Sequence, residues 1–184
     1  MIFKKDNEHL NWPKYVDGYH YLCNERICVH ENANVAAFTT LRPGVCIGAD
    51  TTISPHCTIG NNSTLKPKVI LERCVTVQSE VLLGAGCLID TMVVIPASTS
   101  INDNIHVLST PTCIMGSRHP CYWAEPGTLA IGCEQHFIEA WLSMYQGIGK
   151  CNAYSAEQIA EYHAYIRFFA ANPCRSLEPL EGKV

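Results

Sequence analysis

The stretch IGADTTISPHCTIGNNSTLKPK, residues 47–68, places an aliphatic residue at every sixth position. An α-helix repeats its apolar face about every 3.6 residues and a flat strand about every two, so neither produces this period. The period extends well beyond the quoted stretch, because from Val29 to Val107 every sixth residue is Ile, Leu or Val. Such a repeat predicts a solenoid, in which each unit is too small to bury its apolar face alone and is covered by the next.

A second column of residues strengthens this prediction. The residue four positions after each aliphatic one is small or β-branched throughout, from Ala33 and Thr39 to Thr99 and Ile105. The remaining positions are mostly polar residues, Gly or Pro, which suit turns and solvent. Each hexad is therefore predicted to form one short flat strand and a corner, with its large aliphatic side chain pointing inward. Cys57 and Cys87 belong to the second column and are predicted to be packing residues.

Units such as IGADTT (residues 47–52) and IGNNST (residues 59–64) resemble the hexapeptide repeat of the left-handed parallel β-helix superfamily. The resemblance implies that three hexads form one coil of triangular section and that the coils wind left-handed. The fourteen hexads then give four to five coils. We expect an all-β core, a single-stranded left-handed parallel β-helix, with an α-helical appendage at its C-terminal side.

Three segments are expected along the chain. Residues 1–28 are a cover for one end of the β-helix, residues 29–112 carry the repeats, and residues 113–184 form a crossing loop followed by two helices. The first helix is expected to end at Gly147 and Gly149, and the second to begin at a capping box formed by Ser155 and Gln158. These helices are expected to cover the last coil or a neighbouring subunit.

Composition narrows the classes of function. Thirteen Lys and Arg against seventeen Asp and Glu give a net charge of −4, with no run of five like charges, so binding to nucleic acid or to a membrane is not expected. The eleven cysteines are odd in number, contain no C-x-x-C pair and follow no apolar leader segment. We therefore expect a cytoplasmic protein with reduced cysteines.

Most members of the superfamily that the repeats resemble are acyltransferases. They move an acetyl or longer acyl group from coenzyme A or acyl carrier protein to a sugar, an amino acid or an antibiotic. The resemblance implies a homotrimer with sites between adjacent prisms, and a histidine that deprotonates the acceptor. The segment from Val94 to Val107, which includes Ala97 and Ser98, resembles the final coils of such enzymes, where the pantetheine arm of acetyl-CoA lies along the prism wall.

Two histidines in the repeats are candidate bases. His56 stands in SPHCTIG, which resembles a His-acid-Cys-x-aliphatic-Gly segment of sugar acyltransferases, except that His56 itself occupies the position of the acid. The alternative for His56 is a solvated corner residue. His106 precedes Val107 at an outward position near the expected cofactor end. Arg118, in the loop GSRHP, is a candidate contact for a phosphate of the cofactor, because a guanidinium binds such anions through paired hydrogen bonds; the alternative is a solvated loop charge.

Two other functions are alternatives to acyl transfer. One is a non-catalytic trimeric β-helix that binds or assembles with a partner through its helical tail. The other is a zinc-dependent carbonic anhydrase, a further branch of the superfamily, which carries a His-x-x-x-x-His segment within its coils. No such pair occurs in this sequence, so no metal ligand is assigned.

Overall fold

The computed structural model describes residues 1–180, and of Lys14 the main chain alone. The expected C-terminal extension runs to Val184, and its residues 181–184 lie outside the described part of the chain. The described residues form a left-handed parallel β-helix of about four turns with two C-terminal helices, which confirms the expected fold class.

The N-terminal segment forms a cover at the first coil. A short 3-10 helix, Glu8–Asn11, is followed by strands β1 (Lys14–Val16) and β2 (Tyr19–Leu22), which pair in antiparallel fashion. Strand β2 pairs in turn with the first strand of the solenoid, so the cover is continuous with one wall. The side chain of Phe3 is completely buried beneath this cover.

The solenoid contains one short strand for each hexad, and up to β13 each strand pairs in parallel with the strand eighteen residues further on. Ile47 thus lies beside Leu65, and Leu65 beside Leu83, which stacks the coils and creates three walls. The strands are β3 (Ile27–His30), β4 (Asn34–Val35), β5 (Thr40–Leu41), β6 (Cys46–Ile47), β7 (Thr52–Ile53), β8 (Thr58–Ile59), β9 (Thr64–Leu65), β10 (Ile70–Leu71), β11 (Thr76–Val77), β12 (Leu82–Leu83), β13 (Leu88–Ile89), β14 (Val94–Ile95), β15 (Ser100–Ile101) and β16 (Ile105–Val107).

Both predicted columns form the core of the solenoid. Every one of the fourteen aliphatic residues is at most 1% exposed, and the second column is buried beside it. Cys57 and Cys87 donate their thiol hydrogens to the carbonyls of Glu72 and Asn102, each over 3.0 Å. Burial raises the pKa of both thiols to about 11, so the prediction that they are packing residues is confirmed.

A third column defines the corners. From Val35 to Ile101, the residue three positions after each aliphatic one has a positive φ, as at Phe38 (64°), His56 (65°) and Asn104 (58°). Most of these residues are not glycine, although the left-handed region is unfavourable for a side chain that carries Cβ. The corner therefore depends on stacking between coils, which outweighs the local preference of each residue.

The tail differs from its prediction in two places. The expected crossing loop forms an antiparallel sheet of β17 (Cys113–Met115), β18 (Pro120–Glu125), β19 (Thr128–Ile131) and β20 (Glu134–Phe137). The expected helices follow as α1 (Ile138–Cys151) and α2 (Ala156–Ala171), and strand β21 (Leu177–Pro179) pairs in antiparallel fashion with β16. The predicted capping box of Ser155 and Gln158 is confirmed.

The predicted end of α1 was wrong, because the helix continues through both glycines to Cys151. A Cβ on Gly149 would lie 2.7 Å from Cγ1 of Ile159, so glycine at this position allows α2 to approach closely. Gly149 is therefore a packing residue rather than a helix stop. Within residues 1–180 no helix is long and apolar enough to cross a membrane.

Candidate functional site

His56 lies at the corner between β7 and β8 and is exposed to solvent. Its ring stacks on that of Phe38 in the preceding coil, with 5.2 Å between the ring centroids and 5° between the planes. Within residues 1–180 neither ring nitrogen of His56 has a hydrogen-bond partner. The ring is therefore held by stacking, while both nitrogens stay open to an approaching ligand.

His106 has the opposite environment. Its Nε2 lies 2.7 Å from Oδ1 of Asp90, and its Nδ1 lies 3.0 Å from Oε1 of Glu178 on β21. Burial disfavours the charged ring, but the hydrogen bonds and charges of the two carboxylates outweigh it and raise the pKa of His106. An imidazole with both nitrogens engaged has no lone pair to accept a proton from an acceptor.

The wall formed by β5, β8, β11 and β14 carries an open groove of about 360 Å³. A Cβ on Gly60 would lie 2.4 Å from the carbonyl carbon of Gln78, so the stacking of the coils requires glycine there. No side chain therefore rises from the floor of the groove at this position. Within residues 1–180 the guanidinium of Arg42 has no ion-pair partner. The groove is lined by Arg42, Thr58, Gly60, Asn61, Thr76, Val77, Gln78, Ser79 and Ala97.

The two residues predicted on the prism wall have different surroundings. Ala97 lies in the lining of the groove, and its main-chain N–H donates to Oε1 of Gln78 over 3.0 Å. Ser98, at the next position, donates its hydroxyl to Oε2 of Glu80 over 3.0 Å. Of the two, Ala97 is therefore the one that a molecule in the groove would touch.

Arg118 belongs to the tail rather than to the groove. Its Nη1 donates to the carbonyls of Asn152 and Ala153 over 2.9 and 3.1 Å, and its guanidinium lies 4.7 Å from the ring centroid of Tyr154. Arg118, Asn152 and Tyr154 line a cavity of about 50 Å³ between the tail sheet and the helices, and Trp141 also lines it. A space of this size holds one or a few water molecules and is too small for a cofactor or a sugar.

The groove and His56 lie at opposite edges of the same wall. His56 is at the corner that precedes β8, whereas Gly60, Gln78 and Ala97 follow β8, β11 and β14 respectively. A single chain therefore presents a candidate base and a candidate groove on one wall without bringing them together. His106 and Arg118 are part of neither.

The sequence carried a signal for two groove residues that the hexad pattern alone did not reveal. Arg42 and Gln78 stand on either side of Gly60 at intervals of eighteen residues, which is the length of one coil. When every third hexad is aligned, so that hexads of the same wall are compared, Arg42, Gly60 and Gln78 fall in one outward-facing column. The column predicts a polar groove with one cation.

Among residues 1–180 there is no group of three or more His, Cys, Asp or Glu side chains that could hold a metal ion. Comparisons of this chain with protein-family models, with curated proteins and with solved structures gave no match.

Proposed function

We propose that this protein is an acyltransferase of the hexapeptide-repeat superfamily, which moves an acetyl group from acetyl-CoA to a hydroxyl or amine of a small acceptor such as a sugar or an antibiotic. The observation that carries the proposal is the pair of open ring nitrogens on His56, at the edge of the wall that holds the groove. Of the three histidines between residues 27 and 107, His30 accepts a hydrogen bond from the N–H of Asn32 and His106 is held by two carboxylates.

The chemistry requires one proton acceptor. As the acceptor's oxygen or nitrogen attacks the thioester carbonyl, a ring nitrogen of His56 takes its proton. The carbon–sulfur bond then breaks, and the imidazolium returns the proton to the leaving thiolate of coenzyme A. The stack on Phe38 fixes the plane of the ring, which limits the loss of side-chain freedom during the reaction.

The groove suits an elongated donor that carries phosphate. Its low floor at Gly60 allows a chain to lie close to the wall, and the unpaired guanidinium of Arg42 can bind a phosphate through paired hydrogen bonds. The hydroxyls of Thr58 and Thr76 are available for polar groups along the chain. We assign the groove to the pantetheine arm of acetyl-CoA and to its adjoining phosphates.

A homotrimer would complete the site. Because groove and base lie at opposite edges of one wall, a head-to-tail ring brings the His56 corner of one copy next to the groove of the following copy. The corner has the apolar character of a contact surface: it consists of Phe38, His56, Cys74 and Met92, and Phe38 and Met92 are 60% and 73% exposed in the single chain. The cytoplasm fits this proposal, since acetyl-CoA is made available there and the eleven cysteines are all free.

One observation favours the alternative, a non-catalytic β-helix that binds or assembles with a partner. A catalytic histidine is commonly oriented by a second polar group, and within residues 1–180 no carboxylate or carbonyl holds the ring of His56. In the proposed trimer the neighbouring copy would have to supply that group.

Titration calorimetry with acetyl-CoA, followed by turnover with a panel of aminosugars and hydroxyl acceptors, tests the proposal. We expect acetyl-CoA to bind, and His56→Ala to lower kcat/KM by about 10²- to 10⁴-fold without loss of donor binding. His163→Gln, on helix α2, is the matched histidine control and should retain full turnover. The absence of binding at millimolar acetyl-CoA contradicts the proposal. Binding without turnover of any acceptor supports the non-catalytic alternative.

A further inference from the structure

Two cysteines face each other on the outer wall of the first two coils. Cys28 on β3 and Cys46 on β6 are direct partners in the parallel register, and their Sγ atoms are 2.7 Å apart. Both thiols are half-buried, whereas those of Cys57 and Cys87 point into the core. Among residues 1–180 no other two thiols are in contact.

The stacking of the coils sets the geometry that a disulfide requires. Neighbouring strands of a sheet lie about 4.8 Å apart. The Cα atoms of a disulfide lie about 4.4–6.8 Å apart and its sulfurs about 2.0 Å apart. The two sulfurs of Cys28 and Cys46 therefore need to approach by only about 0.7 Å to form the bond.

The contact also makes the two thiols chemically unequal. Cys28 donates its S–H to Cys46, and this hydrogen bond lowers the pKa of Cys46 although burial acts in the opposite direction. The same contact raises the pKa of Cys28. Cys46 is thus the thiolate that attacks, and Cys28 is the thiol that resolves the product.

We propose that Cys28 and Cys46 form a reversible disulfide between the first and second coils by exchange with a small-molecule disulfide. The Cys46 thiolate attacks one sulfur of the small disulfide, which forms a mixed disulfide and releases one thiolate. Cys28 then loses its proton and attacks Sγ of Cys46, and the second small thiol leaves. Two protein thiols are oxidised and one small disulfide is reduced to two thiols; a small dithiol reverses the reaction.

The bond would fasten the N-terminal end of the solenoid. Cys28 is paired with Tyr21 of the covering hairpin on one side and with Cys46 on the other. The disulfide closes a ring of one coil, which restricts the unfolded chain. We expect oxidation to raise Tm by about 5–10 °C. This inference does not depend on the proposed acyltransferase activity.

Peptide mass spectrometry of the full chain after treatment with oxidised glutathione tests the proposal. Cleavage after Glu25, Glu31 and Glu72 separates Cys28, in residues 26–31, from Cys46, in residues 32–72. We expect these two peptides to be joined, with a mass two hydrogens below their sum, and fragmentation to place the bond at Cys46 rather than at Cys57.

Single variants separate the two roles. Cys28→Ser should keep one glutathione on Cys46, because the resolving thiol is missing, and this adduct should form about fivefold faster than the adduct on exposed Cys23. Cys46→Ser should lose that fast reaction, and Cys23→Ser should form the joined peptides as the wild type does. Glutathione that remains on Cys46 of the folded wild-type chain, or peptides that stay unjoined, would overturn the proposal, and this wild-type readout does not depend on the folding of any variant.

Discussion

The two ends of the solenoid are closed by different chemistry. At the N-terminal end Phe3, His9 and Trp12 are buried under the first coil, and within residues 1–180 neither ring nitrogen of His9 has a hydrogen-bond partner. At the C-terminal end the edge of the last coil is extended by strand β21 and by a hydrogen bond from the N–H of Asn102 to the carbonyl of Ala124 on β18. Both covers occupy strand edges that would otherwise invite pairing between molecules.

The histidines at the two ends have pKa values that are shifted in opposite directions. Burial, and then the charge of His20, lower the pKa of His9 to about 4, whereas two carboxylates raise the pKa of His106. The N-terminal cover therefore buries apolar surface around an uncharged His9, and main-chain hydrogen bonds such as that from the N–H of Phe3 to the carbonyl of Thr39 join it to the first coil. The C-terminal cover is also joined by main-chain hydrogen bonds, but its edge carries His106 between two carboxylates. A lower pH is expected to weaken the N-terminal cover, and a higher pH is expected to weaken the C-terminal cover.

The largest expected effect comes from emptying the N-terminal cover. Phe3→Ala leaves a cavity beside Trp12 and should reduce the free energy of unfolding by about 3–5 kcal/mol. Phe137→Ala is the matched control in the tail, because Phe137 is 64% exposed and its truncation should change stability by less than about 0.5 kcal/mol. Urea unfolding measures both variants. Equal losses would show that the cover does not depend on burial.

Acidification should weaken the N-terminal cover specifically. Because the pKa of His9 is lower in the folded chain, the unfolded chain binds more protons between about pH 6.5 and pH 4, so stability falls as the pH falls. From pH 7 to pH 5 we expect His9 to account for a loss of about 2 kcal/mol. Urea unfolding at the two pH values should show this loss in the wild type and not in His9→Leu. The same loss in both proteins would contradict the assignment.

Alkalisation should loosen the C-terminal cover, with a smaller effect. The raised pKa of His106 means that its contribution is complete below about pH 6.5 and is lost as the pH rises through the folded value. The side chains of Asp90 and Glu178 are 40% and 54% exposed, so water screens the pair and the contribution is at most about 1 kcal/mol. The difference in unfolding free energy between the wild type and His106→Gln should shrink from pH 6 to pH 8.5. A difference that is constant with pH would mean that His106 acts through packing alone.

The solenoid could be predicted from the sequence because every coil offers the same environment at the same position. Ile59 and Val77 occupy the same position in successive coils and are buried for the same reason. A column of such residues is stronger evidence for a solenoid than any single residue. The tail offers no such repetition. Its strands are short and are interrupted by Pro and Gly, so the sequence of residues 113–125 is typical of a loop, and the strands there depend on antiparallel partners elsewhere in the tail.

The candidate site was partly visible in the sequence. The column of Arg42, Gly60 and Gln78 and the pair of Cys28 and Cys46 both follow from a coil of eighteen residues. The environment of His106 does not follow from the length of the coil, because one of its two carboxylates comes from a residue seventy-two positions further along the chain. The same holds for Arg118.

Arg118 binds carbonyls thirty-four and thirty-five residues away, which no local pattern indicates. Contacts within the repeat are encoded by its period, whereas contacts between the repeat and the tail depend on how the tail folds back. The fold could therefore be predicted from the repeat, whereas the surroundings of His106 and Arg118 could not.

Mixing two inactive variants tests the central claim, that the His56 corner of one copy serves the groove of the next. His56→Ala removes the proposed base, and Thr76→Trp fills the groove and leaves His56 intact. When equal amounts are unfolded and refolded together, random assembly joins an intact corner to an intact groove at about one quarter of the interfaces in a head-to-tail ring. We predict that the mixture regains about a quarter of the wild-type acetyl transfer, whereas each variant refolded alone stays inactive. A mixture as inactive as its components would contradict the shared site.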